Sequence, residues 1–342
     1  IGYKHENAFF MVPPEYVYLN NLPPLPFHLV HNIQDYSIYN WVPGGKKCYT
    51  LESSRGCPYA CSFCEVSSYF GKRYSFKSPN RMLQEVRELC SHYDAGGIHF
   101  WDPNFFLRVQ RAREFAHLLI DCNLDVKWAA SGTIMDFRRI SISDLQLFYK
   151  SGLRQVSFGI ESHDYHIRKN ILNKSFSNED ILNVLNKFEH VGIDFKSNII
   201  VGLPGVDFEQ SLQTIDFAVN MVATHNHAAI ADRIHIYIPF PSTPLCQTAM
   251  QHGFQLPQSL PEYSTLMDGG DDSLKWLNPK ELSKLRTASL MSAFLSATQS
   301  HVPFRGLKHV LFIIARKMYL YRLKRHWFAR TPDISFLQNF LH

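Results

Sequence analysis

No apolar run in this 342-residue chain approaches the roughly 18 residues that a membrane-crossing helix needs. The longest candidate, HVLFIIA at 309–315, falls far short. Cysteine is scarce too. Seven in a chain this long cannot form the dense disulfide framework of a small secreted domain. Four of them, Cys48, Cys90, Cys122 and Cys246, lie far apart. The expected compartment is therefore a reducing one, with the cytoplasm as default. Charge is modest, at 19% of residues with a net +5, and much of the excess falls in the last forty residues. That balance excludes neither a small-molecule site nor a weak membrane contact, and it gives no reason to expect a nucleic-acid partner. The chain opens on IGYKHENAFF, without an initiator methionine or a signal pattern, so a cut or processed end is expected there.

A folded α/β chain is what remains. Hydrophobic residues make up 45%, enough for a sizeable core. Residues 1–47 are irregular and rich in proline (VPPEYVYLNNLPPLP) and read as an extended linker or wrap. From Lys47 to about 250, short β-branched or aromatic runs alternate with helical patterns, as βα units around a parallel sheet do. The candidate strands are CYTLESS, GIHFWD, VKWAASG, RQVSFGIES, FKSNIIVGLP and RIHIYIPF. Helix starts are expected at Ser78-Pro79, at Ser143-Asp144, at the capping box Ser177 to Asp180 and at Asp207 with Gln210. Six such units make a full or partial barrel, or an open doubly wound sheet. Either places its ligands at the C-terminal ends of the strands. The distinctive residues obey that rule: a cysteine loop follows the first strand, DPNF the second, Ser131 the third, Glu161 the fourth and GLPG the fifth. Residues 251–342 form a C-terminal loop and two helices, at roughly 279–300 and 305–327, that serve as a lid or as packing. The basic last helix could alternatively rest on an anionic membrane surface.

The densest signal is SSRGCPYACSFCEVSSYF at 53–70, which holds Cys57, Cys61 and Cys64. A structural zinc site would take four ligands, usually as paired C-x-x-C knuckles, and only one such pair is present. A disulfide suits neither an odd number nor so tight a loop. Three thiolates suit an iron–sulfur cluster that keeps one iron open, and Phe63 can pack an aromatic face beside whatever binds there. Cys90 and Cys122 fall on apolar helix stripes and read as core filling. Cys246 lies near the barrel mouth and could also face a substrate.

Cys57-x-x-x-Cys61-x-Phe63-Cys64 resembles the motif of the radical S-adenosylmethionine enzymes, and further segments of that family follow in order over residues 48–245. The resemblance implies a parallel (β/α)6 partial TIM-like barrel with an N-terminal extended segment and a C-terminal helical extension. It implies a [4Fe-4S] cluster on Cys57, Cys61 and Cys64, with S-adenosylmethionine on the open iron. Electron transfer, from an external donor such as flavodoxin or ferredoxin, then gives a 5′-deoxyadenosyl radical. FWDPNFF is similar to the second-strand motif, so Asp102, with Asn104 beside it, is a candidate for the methionine amino group. SFGIES is similar to the fourth-strand segment and gives Glu161 a ribose or amino contact. Lys174, with Arg168 as the alternative, would meet the methionine carboxylate. Ser131 is a further cofactor candidate. SNIIVGLPG resembles the fifth-strand segment, where Asn198 would reach the ribose and Gly202 and Gly205 would let backbone approach adenine.

The overall layout most resembles the branch that usually carries an N-terminal cobalamin-binding domain: methylases of unactivated carbon or phosphorus, a bacteriochlorophyll ring cyclase, and enzymes acting on hopanoid lipids. Residues 1–47 do not read as such a domain, and Asp164-Tyr-His166-Ile-Arg-Lys169 imitates only the start of the histidine signature. Cobalamin thus follows from the branch alone. The expected substrate is a small or lipid-like molecule. The competing readings are a non-catalytic iron–sulfur or zinc module and a degenerate partner subunit.

Overall fold

A parallel sheet organises the chain, and its register decides which side each strand residue serves. The computed structural model describes residues 2–5, 8–11, 17–39, 41–267, 274–299, 301, 302, 304 and 306–329. β1 (Cys48–Leu51) leads into β2 (Ser54–Gly56), which pairs antiparallel with β3 (Tyr74–Phe76) and frames the cysteine loop between them. There follow α1 (Pro79–Tyr93), β4 (Gly97–Phe100), α2 (Val109–Asp121), β5 (Lys127–Ser131), α3 (Ile142–Lys150), β6 (Leu153–Glu161), α4 (Asn178–Val191), β7 (Asp194–Val201) and α5 (Phe208–Thr224). The sheet runs β1-β4-β5-β6-β7 and ends on β8 (Ala228–Ile230), every pair parallel. β9 (His235–Ile236) pairs with β7 beyond it. Sequential parallel strands with helical crossovers give the expected partial barrel, with β1 and β8 at its two ends.

Outward residues such as Ile98, Phe100, Trp128, Val156, Phe158, Phe195 and Ile199 join the helices in one core. Their neighbours face the concave side, because side chains alternate along a strand.

The helix starts agree with their capping chemistry. Ser78 caps α1 with Pro79 at its first position, and Ser177–Asp180 and Asp207–Gln210 close capping boxes on α4 and α5. The third helix begins two residues earlier than its Ser143-Asp144 signal. Ser141 is the cap and Asp144 its box partner, because Asp144 also holds Arg113.

Two expectations are corrected. The sixth strand is not the continuous RIHIYIPF. Its place in the sheet is taken by β8, upstream of that segment, and only His235–Ile236 of the segment pairs, as β9; between them, at 231–234, Asp232 takes a left-handed φ of 60° and the Ile234 amide donates to Ser292 Oγ. The upstream segment does more than wrap the outside. Ile38 bridges to Cys48, and Val42 is buried with Cys48 and Ala129, so the chain before β1 fills the floor of the concave face.

After α6 (Pro244–Gln251) come α7 (Pro279–Ser292) and α8 (Gly306–Lys324). α8 buries Phe312, Ala315, Tyr319 and Leu323 and packs beside α5 and α7. Arg316 and Arg322 are buried with this stripe, while Leu307, Val310, Ile314 and Tyr321 stay exposed on the opposite face. No helix among the described residues is long and apolar enough to cross a membrane.

Candidate active site

The cysteine loop hangs over the C-terminal ends of the strands and is fixed from three sides. At its base, Asp102, just past β4, accepts from the Ser53 amide (2.7 Å), Ser53 Oγ (2.6 Å) and Ser54 Oγ (2.6 Å), with the Arg111 guanidinium 3.6 Å away. Asp102 is 4% exposed. Both oxygens are thus bonded to the start of the loop, which Asp102 positions. Arg111 also donates to the carbonyls of Ser53 and Phe105, tying the same corner together. Replacing Asp102 with alanine strands a buried guanidinium and three donors. It should cost about 3 kcal/mol in urea unfolding and loosen the loop to proteolysis. An unchanged midpoint would refute this assignment.

A second tie lies inside the motif. Tyr59, between Cys57 and Cys61, donates its hydroxyl to Asp136 Oδ1 (2.9 Å). Asp136 also accepts from Thr133 Oγ1 (2.6 Å) and Asn104 Nδ2 (2.8 Å) on Oδ2. Asn104 is fully buried, its Nδ2 donates to Asp136, its Oδ1 has no partner among the described residues, and its backbone carbonyl accepts from Tyr74. It supports the loop from beneath. Burial and the Asp136 charge push Tyr59 up to about 12. Sequence reasoning missed Asp136, because its carboxylate serves a tyrosine 77 positions earlier.

The third tie is to the segment after β6. Ser62 donates from its amide to the Leu172 carbonyl (3.1 Å) and from its hydroxyl to the Ile171 carbonyl, while Asn173 Nδ2 donates to the Ala60 carbonyl (2.7 Å). The Leu245 amide reaches the Ser62 carbonyl (2.9 Å). Ile167–Ile171 is a π-helical turn, a form that concentrates at functional sites. Within it Arg168 is 0% exposed and donates to the carbonyls of Ser162 and Phe176 and to Asn178 Oδ1 (2.6 Å). Its donors hold the turn, so in this structure Arg168 clamps the segment.

Lys174 is the cation that reaches the mouth. Its ammonium donates to Glu161 Oε1 (2.8 Å) and the Gly159 carbonyl (2.8 Å) and lies 5.6 Å from the centre of the Phe63 ring. Glu161 ends β6 at φ 68°, where the β6–β7 register slips, and its Oε2 is buried without a partner. A side chain in a sparsely populated backbone region with an unsatisfied oxygen is the mark of a site waiting for a donor. A Cβ at Gly159 would sit 1.8 Å from Glu161 Oε1, so only glycine leaves room for this pair. Burial opposes the Lys174 charge, yet Glu161 and then Cys61 outweigh it and hold its pKa above the ordinary value.

The thiols feel one another. Burial pushes Cys57 up to about 11, with Cys61, Cys64 and Asp136 adding to it. Burial raises Cys61 and Cys64 as well, against the pull of Lys174. Among the described residues no three His, Cys, Asp or Glu side chains are grouped to hold a single metal ion. The donor set fits a larger group: three thiols on one loop, a cation beside two of them, and a carboxylate oxygen left open. Binding such a group would expel the thiol protons.

Of the other candidates, Ser131 at the end of β5 and Asn198 within β7 lie on the concave face, half-buried, with side chains that make no hydrogen bond among the described residues. Gly202 has φ +69°, and a side chain there would meet Leu277, Ile236 and Leu285. Its carbonyl accepts from Trp276 Nε1 (2.9 Å), so its glycine serves the turn and the C-terminal packing. Phe63 packs at the edge of a satellite core of Ile167, Leu172, Leu203, Tyr237 and Leu245, in which Cys246 is buried.

Residues 51–218 match the radical SAM superfamily. An uncharacterized methyltransferase of Pyrococcus horikoshii is 27% identical over 285 residues, covering 81% of this chain and 59% of that protein. The anaerobic magnesium-protoporphyrin IX monomethyl ester cyclase of Rubrivivax gelatinosus is 27% identical over 186 residues, 54% of this chain and 33% of that one. The chain thus spans less than two-thirds of the length of these relatives. In fold it is similar to the radical S-adenosylmethionine methyltransferase TsrM from Kitasatospora setae with cobalamin and a [4Fe-4S] cluster bound (TM-score 0.55, 14% identity, 81% of this chain and 61% of that one). It is also similar to the cobalamin-dependent S-adenosylmethionine radical enzyme OxsB in its apo form (TM-score 0.61, 14% identity, 99% and 62%).

Proposed function

We infer, from a chain that belongs to the radical SAM superfamily, an enzyme that cleaves S-adenosylmethionine reductively and starts radical chemistry at an unactivated C–H bond. The observation that carries this is the meeting of the three-cysteine loop with the Glu161–Lys174 pair at one barrel mouth. A [4Fe-4S] cluster on Cys57, Cys61 and Cys64 would supply the electron for that cleavage.

The chain's own residues do the rest. Glu161 Oε2 accepts from the ammonium of the methionine portion or from a ribose hydroxyl, satisfying its open valence. Lys174 faces the methionine carboxylate while neutralising Glu161 and the nearby thiolates. Asn198 and Ser131 line the concave face below. Asp102, Asp136 and the Ile167–Ile171 turn hold the loop still. Phe63 and the apolar residues behind it keep water from a reactive carbon radical.

Methyl transfer and ring formation, the activities carried in the relatives' names, are the reactions proposed for the second half-step. Cobalamin is bound in a fold neighbour. Here the described residues 17–39 form only short 3-10 turns and extended chain, which do not make a cobalamin cradle.

Anaerobic reconstitution should load about four irons per chain, and the reduced protein given S-adenosylmethionine should release 5′-deoxyadenosine. Full iron loading without that product under any reductant would make the chain a partner subunit. A single bound zinc with no spectral response to S-adenosylmethionine would make it a structural module.

A further inference from the structure

One layer below the Glu161–Lys174 pair, the concave face carries a second set of groups, of which the reading above names only Ser131, as lining. The register lays them out. Phe100, Ala130, Val156 and Phe195 are lateral neighbours facing the helices. Their successors Trp101, Ser131, Ser157 and Lys196 therefore share a row on the inner side, with Ser131 opposite Ser157 and Ser157 opposite Lys196. The strand rise puts this row about 7 Å beneath Gly159 and Asn198, two residues further on.

The row is apolar and flat at one end and cationic at the other. Trp41, from the segment that floors the barrel, stacks on His99 with centroids 4.3 Å apart at 18°, and His99 meets Trp101 at 5.2 Å. Trp101 closes this wall yet is 63% exposed, an unusual state for a tryptophan on a concave surface. At the other end Lys196 makes no hydrogen bond or ion pair among the described residues, and neither do the side chains of Ser131 and Ser157. His99 is 6% exposed, and its Nδ1 is buried without a partner. Burial holds the Lys196 ammonium below its ordinary pKa and drops His99, with Lys196 adding to the effect, to about 4. A lysine amine, two hydroxyls and a neutral imidazole, converging beside an open aromatic face, are what a ligand site holds in reserve.

We propose that this row is the substrate subsite, and that it takes the carboxylate of a flat, aromatic or conjugated acid, its acid group on Lys196 and the serines and its ring against Trp101. A single lysine with hydroxyls and no arginine fits a carboxylate better than a phosphate, for which a forked guanidinium is the usual partner. The subsite rests on the reading of the mouth above it as the place where the radical forms, since the row lies directly beneath that pair.

The test is binding, measured on the whole chain without S-adenosylmethionine. Titration with 2-naphthoate, followed by tryptophan quenching and calorimetry, should show binding about tenfold tighter than for neutral 2-naphthamide, as one charge-assisted contact implies. 2-Naphthyl phosphate should bind no better than the acid. Lys196→Gln should erase the preference for acid over amide, Lys196→Arg should keep most of it, and Trp101→Leu should weaken acid and amide alike. Equal affinities for acid and amide, a preference that survives Lys196→Gln, or a stronger response to the phosphate would overturn the proposal. Naphthoate binding of the expected kind in a chain that forms no 5′-deoxyadenosine would sink the radical function and leave the subsite standing. The reverse pair of results would do the opposite.

Discussion

Cys61→Ala should abolish both iron loading beyond traces and formation of 5′-deoxyadenosine. Cys61 is one of the two thiols that feel Lys174 and Glu161. Its neighbours Ala60 and Ser62 are both bound to the segment after β6, so no other side chain can move into its place. Loss of an outer partner of a metal ligand already costs roughly 10–100-fold, and loss of the ligand itself should exceed about 100-fold. The same holds for Cys57 and Cys64. Cys48 and Cys246 are the controls, since both are buried in apolar clusters and neither belongs to the cysteine loop. Serine there should leave iron content and product within about twofold, apart from any loss of stability. Iron counts and anaerobic product assays on the five variants decide the matter, and a Cys61→Ala protein with its cluster and turnover intact would end the radical reading.

The second large effect belongs to Lys174. Lys174→Met removes the only counter-ion of Glu161 among the described residues, and Glu161 is 4% exposed. Breaking a buried pair from one side costs about 3 kcal/mol or more, which should appear as an earlier urea midpoint with an unchanged slope. The double change Glu161→Gln/Lys174→Met removes both charges and should recover most of that loss. Affinity for S-adenosylmethionine should follow another pattern. It should fall about tenfold or more in Glu161→Gln, in Lys174→Met and in the double variant alike, since each loses a charge-assisted contact. A double variant that regains stability and affinity together would show the pair to be structural only.

Much of this was legible in the sequence. The three-cysteine loop, the βα rhythm and the capping boxes of α4 and α5 are local patterns, and local patterns survive folding. The pairing of Lys174 with Glu161 was half legible: both stood out, but their partnership depends on a glycine and a register slip at the end of β6. Asp102 and Arg168 look like ligands because they are charged and near motifs. Only the fold shows that their bonds are already spent, on Ser53 and Ser54 for one and on Ser162, Phe176 and Asn178 for the other. Asp136 gave no signal, since a lone acid in TIMDF is an ordinary helix start. The division of the sixth strand was hidden because its apolar alternation runs on through His235–Tyr237 after the break at Asp232. The inner row of Trp101, Ser131, Ser157 and Lys196 could not be read at all without the strand register, because it takes one residue from each of four strands.

The ties of the cysteine loop also set an order of events during synthesis. The loop leaves the ribosome early, but the groups that hold it come late. Ser62 waits for Ile171 and Leu172, some 109 positions on, and Ser68 waits for the Ser242 carbonyl, 174 positions on. At about 5–20 residues per second, the nascent loop spends roughly ten seconds or more with its ties incomplete. Any metal met in that interval is bound by a floppy chelator, and iron–sulfur delivery to a shaped loop can begin only once the chain through Leu245 has folded. Maturation of this protein is therefore timed by its fourth and sixth βα units, far downstream of the cysteines.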